Sequence, residues 1–245
     1  MLSAGAPVFL LDVDDTLLDN DRFGADLGAR LEQDFGGAGR DRYWAIHAGL
    51  RDKFGYADYL GALERFRDGL EDEPALLRMS SFLLEYPFAD RLYPHALEVV
   101  AHLRARGTVA VFSDGDIVFQ PRKIQRSGIW DAVGGNVMIT LHKQRALEAM
   151  QQRFRAARYV MVDDKADVLA AMKRALGDRL VTVFVRQGHY ARAAIEAAAA
   201  TPSGMVSAPP PDFSIDAIGD LPGCRLDDFI AAAPDPDAAA QKESA

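Results

Sequence analysis

Val8-Phe9-Leu10-Leu11-Asp12-Val13-Asp14-Asp15-Thr16 is the stretch on which the reading of this chain turns. Four apolar residues stop at an acid, and two more acids follow within three positions. A short apolar run with no polar alternation suits a strand buried on both faces. In an open parallel sheet, ligands bind outside the carboxyl ends of the strands. Residues at i and i+2 of an extended segment share a face, which puts Asp12 and Asp14 together at that end. Two carboxylates at close range repel unless a cation sits between them or one holds a proton. The plain alternative is a polar exit from strand to loop, a common job for Asp.

Outward from this segment, three more apolar runs read as buried strands: Val109–Phe112, Tyr159–Val162 and Val181–Val185. Helical spacing separates them. Pro94–Arg106 opens on proline and stops at Gly107, and His142–Ala156 and Ala166–Leu176 carry the same period, the last closed by Gly177. Alternating strands and helices imply an α/β fold with a parallel sheet. Residues 17–88 break the rhythm with four amphipathic stretches, Phe23–Phe35, Asp41–Phe54, Tyr56–Gly69 and Pro74–Leu84, and are expected to form a helical insertion. Ala191–Ala200 is Ala-rich and reads as helix. After Pro209-Pro210-Pro211 the chain returns through Phe213–Ile218, and residues 231–245 have the composition of a disordered tail.

The other strand ends carry chemistry as well. The second run leads into Ser113-Asp114-Gly115-Asp116, where a hydroxyl and turn N–H groups suit a phosphate oxygen, though Ser-Asp-Gly is also an ordinary turn. The run at Tyr159–Val162 ends in Asp163-Asp164, which would otherwise cap the following helix. Lys143 stands 20 residues before Asp163, where a solvated side chain is the plain alternative. Independent turn chemistry would not place all four elements, in this order, at the ends of successive strands.

In that order these residues resemble the haloacid dehalogenase-like (HAD) superfamily of hydrolases, whose motifs are Asp-x-Asp-x-Thr, Ser/Thr, Lys and an acidic pair. The likeness spans about Val8 to Ile218. Pro121-Arg122-Lys123-Ile124 with Ser127-Gly128-Ile129 is similar to the stretch after the second motif of phosphatase-like members. The resemblance implies a Rossmann-like three-layer parallel-sheet core (1–16 and 89–230) with an inserted helical cap (17–88). It implies Asp12 as a nucleophile that becomes an aspartyl phosphate, Asp14 as general acid and then base, and Thr16, Ser113, Asp114 and Lys143 around the phosphate. Mg²⁺ is the implied cofactor, held by Asp12, the Asp14 carbonyl, and Asp163 or Asp164, with Asp164 preferred. Haloacid dehalogenases are also similar but lack the second Asp, because halide leaves without a proton. The expected activity is therefore hydrolysis of a small-molecule phosphate monoester. The rivals are a sugar phosphomutase of the same superfamily and a phospho-accepting regulatory module without turnover. In the cap, His47, Arg51 and Lys53 are candidates to face the cleft, though a lone His or Arg on a helix is usually structural or solvated, and Arg186, His189 and Tyr190 are candidates for its rim, where an ordinary surface loop is the plainer reading.

Composition limits the remaining classes. The 245 residues carry a net charge of −8, which argues against nucleic acid or anionic membrane as partners. The expected partner is a small phosphorylated metabolite. One cysteine, Cys224, excludes an internal disulfide and a cysteine zinc site, and fits a reducing cytoplasm. Val8–Leu11 is too short for a signal h-region and has no Lys or Arg before it, so no signal peptide is expected.

Overall fold

The computed structural model describes residues 6–200 and 209–226. Six strands form one sheet: β1 (Val8–Leu11), β2 (Thr108–Asp114), β3 (Val137–Thr140), β4 (Tyr159–Asp163), β5 (Leu180–Val185) and β6 (Phe213–Ile215). Their order is β3-β2-β1-β4-β5-β6, and every pairing is parallel. The four expected strands are there. β3 was not expected. It is a four-residue strand at the sheet edge with only Val137 buried, so its sequence lacks the unbroken apolar character of its neighbours.

Side chains alternate across β1, and this builds the layers. Phe9 and Leu11 join one buried cluster with α4 (Ala96–Arg104) and α5 (Phe119–Arg126). Val8 and Leu10 join a second with α7 (Leu147–Arg153), α8 (Ala166–Leu176) and α9 (Gly188–Ala200). Short α6 (Ile129–Ala132) completes the first layer. The result is the Rossmann-like three-layer α/β fold. Each fully buried Val, Leu or Phe contributes about 1.5–3 kcal/mol relative to exposure.

Residues 17–88 contain α1 (Asn20–Phe54), α2 (Tyr59–Phe66) and α3 (Glu73–Glu85) and no strand. Two expected helices, Phe23–Phe35 and Asp41–Phe54, are one element bent at Gly36, whose φ of 71° and ψ of 173° are outside the helical region. An aspartate carboxylate accepts from the first turn of each: Asp19 from Arg22 N–H at 2.8 Å, Asp58 from Gly61 N–H at 2.7 Å, Asp72 from Ala75 N–H at 3.0 Å. Such caps are worth about 1 kcal/mol each. The Tyr43 hydroxyl donates to the Tyr59 carbonyl and ties α1 to α2. Phe23 packs its ring 5.2 Å from Tyr59, 5.1 Å from Phe88 and 5.8 Å from Phe119, so the insertion shares the apolar cluster of the α4–α5 face.

The expected helix His142–Ala156 is split. Residues Lys143–Arg145 form a tight 3₁₀ turn, Ala146 leaves the helical region, and α7 begins at Leu147. That turn buries Lys143. The tail expected to be disordered, 231–245, lies outside the described residues.

Candidate active site

β1 and β4 are neighbours with Leu11 opposite Val162, so Asp12 and Asp163 leave the sheet side by side. The Asp12 N–H donates to the Val162 carbonyl at 3.0 Å. From β1 the chain builds outward to β2 and β3, then crosses to β4 and builds the other way. The two acids therefore stand at the point where strand order reverses, the place where open α/β sheets bind ligands.

Lys143 closes this pair. Its Nζ lies 2.7 Å from Asp12 Oδ1 and 2.6 Å from Asp163 Oδ2. All three are buried, at 2% exposure or less. Burial acts to raise the Asp12 pKa, but Lys143 and Lys165 outweigh it and hold the carboxyl below its usual range. Burial likewise disfavours the Lys143 ammonium, and Asp12 and Asp163 reverse that and hold it charged. Asp163 keeps its other oxygen on the Lys165 N–H, at 2.9 Å.

Asp164 is the acid left over. It is fully buried, yet neither carboxylate oxygen has a partner. Burial, then the charge of Asp163, pushes its pKa up to about 9. Single oxygens of Asp12, Asp163 and Asp164 lie within 4.8 Å of one another. A buried carboxylate without a partner costs several kcal/mol, so it either keeps a proton or meets a cation. Three carboxylates against Lys143 and Lys165 leave one negative charge uncompensated. Oxygen donors of this kind fit a hard divalent ion.

Asp14 faces another set of groups. Its Oδ1 accepts from Lys123 Nζ at 2.7 Å and its Oδ2 from Gln120 Nε2 at 3.2 Å. Gln120 also donates to Ser113 Oγ at 3.1 Å, leaving the Ser113 proton free to donate elsewhere. Lys123 is fully buried, donates to Asn20 Oδ1 at 2.9 Å, and lies 5.5–5.8 Å from the ring centres of Phe23, Tyr59, Phe88 and Phe119. Four π faces surround this one ammonium. The Asp14 side chain is therefore not among the clustered metal-type donors, and its carbonyl is what it has to offer an ion.

Thr16 is buried with an unpartnered Oγ1, while its carbonyl accepts from Gln187 Nε2 at 3.2 Å. Asp114 accepts from Thr140 Oγ1 at 2.7 Å, so its carboxylate is engaged and only its N–H is suited to a phosphate. Asp15 takes a left-handed φ of 57° to make the tight turn after β1. Gly188 packs so close beneath it that a Cβ there would fall 2.3 Å from the Asp15 Cβ.

A cleft of about 660 Å³ opens above these strand ends. Asp14, Asp15, Asp114 and Lys165 line it from the sheet side, and Trp44, His47, Arg51 and Tyr59 from the helical insertion. Of the expected rim residues, His189 and Tyr190 line it, while Arg186 pairs with Asp216 at 3.2 Å. Lys53 is not on the lining.

The chemistry of this constellation has a counterpart among known families. A model of haloacid dehalogenase-like hydrolases matches residues 6–175, more than two thirds of the chain. The chain belongs to the haloacid dehalogenase-like hydrolases. A solved member from Burkholderia xenovorans LB400 is 50% identical, with a TM-score of 0.80 over 91% of this chain and 98% of that one. The L-2-haloacid dehalogenase of Xanthobacter autotrophicus shares the fold at 20% identity and a TM-score of 0.57, over 89% of this chain and 97% of that one. The HAD-hydrolase YfnB of Bacillus subtilis does so at 15% identity and 0.59, over 89% and 97%. No curated protein matches the chain.

Against the family motifs, the structure brings Asp12, Lys143, Asp163 and Asp164 into one buried knot and sets Asp14 and Ser113 beside it through Gln120. Sequence reasoning missed Lys123, Gln120 and Lys165. Lys123 stands among Arg122, Gln125 and Arg126, so by composition it reads as one more solvated helix cation. Two signals were available: the family-like stretch Pro121-Arg122-Lys123-Ile124, and the spacing of Gln120 and Lys123, which places both on one face of α5. Among the described residues no helix is long and apolar enough to cross a membrane.

Proposed function

We infer that this hydrolase is a Mg²⁺-dependent phosphatase acting on a small phosphate monoester, with residues 17–88 as its cap. The observation that carries this reading is the pair of unpartnered, buried Asp164 oxygens beside Asp12. A carboxylate attacking a phosphate dianion brings negative charges together, and Lys143 is already paired with both Asp12 and Asp163. One more cation is needed. Asp12, Asp164 and the Asp14 carbonyl would hold it, with Asp163 fixing Lys143. Bound there, Mg²⁺ supplies charge neutralisation between Asp12 and the phosphoryl oxygens. The YfnB structure, described as bound to magnesium, is consistent with an ion on this fold.

The chain's own residues do the rest. Asp12 attacks phosphorus in line, an Asp12 O–P bond forms, and the bond to the leaving oxygen breaks. Asp14 gives that oxygen a proton, then takes one from the water that cleaves the aspartyl phosphate. Lys143 and Ser113 donate to the non-bridging oxygens, and Lys123 and Gln120 aim the Asp14 carboxylate. Halide needs no such proton, and Asp14 has no task in carbon–halogen cleavage.

A panel of phosphate monoesters with and without Mg²⁺, with 2-chloropropionate as a parallel arm, tests the reading. Phosphate release that needs both Mg²⁺ and Asp12, without halide release, is the expected result. Asp14→Asn should cost about 10²–10⁴-fold on alkyl phosphates and much less on p-nitrophenyl phosphate, whose leaving group needs no proton. Halide release without phosphatase activity would reverse the assignment.

A further inference from the structure

The roof of the cleft carries two groups that phosphate chemistry does not use. His47 is 7% exposed on α1 and lines the cleft, yet its Nε2 is buried without a partner. Its ring is held by aromatics: Tyr59 at 4.7 Å, Trp44 edge-on at 5.3 Å, and Tyr43 stacked at 6.5 Å. Burial, with Arg51 adding to it, brings its pKa down to about 4, so the ring is neutral and offers one uncharged hydrogen bond. An orphaned buried nitrogen costs about 1–3 kcal/mol, so its burial calls for an explanation.

Arg51 follows one turn later on the same helix face. It lines the cleft and rests over the Tyr190 ring, 5.5 Å from its centre. Of the acids that line the cleft with it, Asp14 is held by Lys123, Asp114 by Thr140, and Asp15 and Asp21 by His189, while Asp52 and Asp167 complete the lining. Arg51 forms no ion pair among the described residues. Tyr190 takes Lys165 on its ring too, at 4.8 Å, so the aromatic spans from the phosphate end of the cleft to Arg51. A guanidinium with an uncommitted fork beside a neutral imidazole donor is a recognition pair for an anion.

Resting on the phosphatase reading of the floor, we propose that His47 and Arg51 form a specificity subsite for a second anionic group, so that the substrate is a phosphate monoester that also carries a carboxylate or second phosphate. Arg51 supplies the charge and two parallel donors, and His47 Nε2–H fixes the position. The Trp44 and Tyr59 rings cover the carbon skeleton between the two ends.

The test uses three-carbon ligands that differ at one end: glycerol 3-phosphate, 3-phosphoglycerate and glycerol 1,3-bisphosphate. Binding is measured by calorimetry on the full chain with Asp12→Asn, so turnover is not required. Turnover of glycerol 3-phosphate by the wild type reports separately on the phosphatase reading. The two ligands with a second anionic group are expected to bind about 10–100-fold tighter than glycerol 3-phosphate, worth 1.4 kcal/mol per tenfold. The preferred one of the two identifies the second group. Adding Arg51→Ala should bring that ratio to about one, and Arg51→Lys should restore part of it. His47→Phe keeps the ring packing, removes the nitrogen, and should lower the ratio several-fold. Equal affinity for all three ligands, or an Arg51→Ala change that weakens all three alike, overturns the subsite whatever the turnover result.

Discussion

Among the described residues two acidic clusters with a metal-like arrangement lie close together, and they differ in what their oxygens already hold. Asp15, Asp21 and His189 form one. There Asp15 Oδ1 accepts from the N–H groups of Asn20 and Asp21 at 3.0 and 3.2 Å, and Asp15 Oδ2 lies 3.5 Å from His189 Nδ1. Asp21 is shared between His189 and Arg192, the latter at 2.7 Å. Every oxygen is satisfied by protein, and His189 is exposed. Asp12, Asp163 and Asp164 form the other, fully buried, with two oxygens that nothing among the described residues satisfies. Counting carboxylates does not separate a tie between elements from an ion site. Unmet valence in a dry environment does. The first cluster pins the start of α1 to α9; the second is where the chemistry is expected.

The widest separation between them comes from removing one acid of each. Asp164→Ala should lower Mg²⁺-dependent phosphatase activity by about 10²–10³-fold, the scale for losing one preorganised stabilising group. Asp21→Asn should leave the Mg²⁺ concentration dependence where it is. Equal losses would erase the distinction.

Lys123 sharpens the same contrast, because it is the buried cation that aims Asp14 rather than the ion. Lys123→Met keeps the stem's packing among the four rings, so kcat should fall about 10–100-fold through mispositioning while the Mg²⁺ dependence stays. A shifted Mg²⁺ dependence would place Lys123 in the ion site instead.

The pH dependence of stability follows from the same bare acid. In the folded, metal-free chain Asp164 titrates at about 9, far above the ordinary 3.8, and Asp15 at about 7. Between those limits the folded state binds more protons than the unfolded one, so stability falls as pH rises. His47, brought down to about 4, acts in the opposite direction, but only below its ordinary 6.5. The clean window is therefore pH 7 to 9. In EDTA the Tm should drop across it, and Mg²⁺ should restore more at pH 9 than at pH 7. A flat or rising Tm in EDTA would mean that Asp164 is not an uncompensated acid. The smallest effect belongs to the satisfied cluster: His189→Ala should cost no more than about 1 kcal/mol, as exposed ion pairs do, read by urea unfolding.

How much of this was legible in the sequence depends on the range of the interaction. β1, β2, β4 and β5 announce themselves because a strand buried on both faces must be apolar throughout. β3 does not, because an edge strand is under no such demand. Asp12, Ser113 and Asp163-Asp164 were legible because each stands at the end of an expected strand, and Lys143 because of its place before Asp163 in the order of the family motifs. Lys123 and Gln120 were not, since their partners Asp14 and Ser113 come from other elements and nothing local marks a buried lysine. The preference for Asp164 over Asp163 rested on the resemblance, with no physical reason the sequence could supply. Only the fold shows that Asp163 is taken by Lys143 and that Asp164 is left bare.

The central claim is that Asp12 becomes covalently phosphorylated while Asp164 completes the ion site beside it. Acid quench of the enzyme during turnover of p-nitrophenyl phosphate with Mg²⁺, followed by peptide mass spectrometry, measures this directly. The expected result is an acyl phosphate on the peptide bearing Asp12, absent in Asp12→Asn and absent without Mg²⁺. Sustained phosphate release by Asp12→Asn, or turnover in which the phosphate is found on another residue, would contradict it.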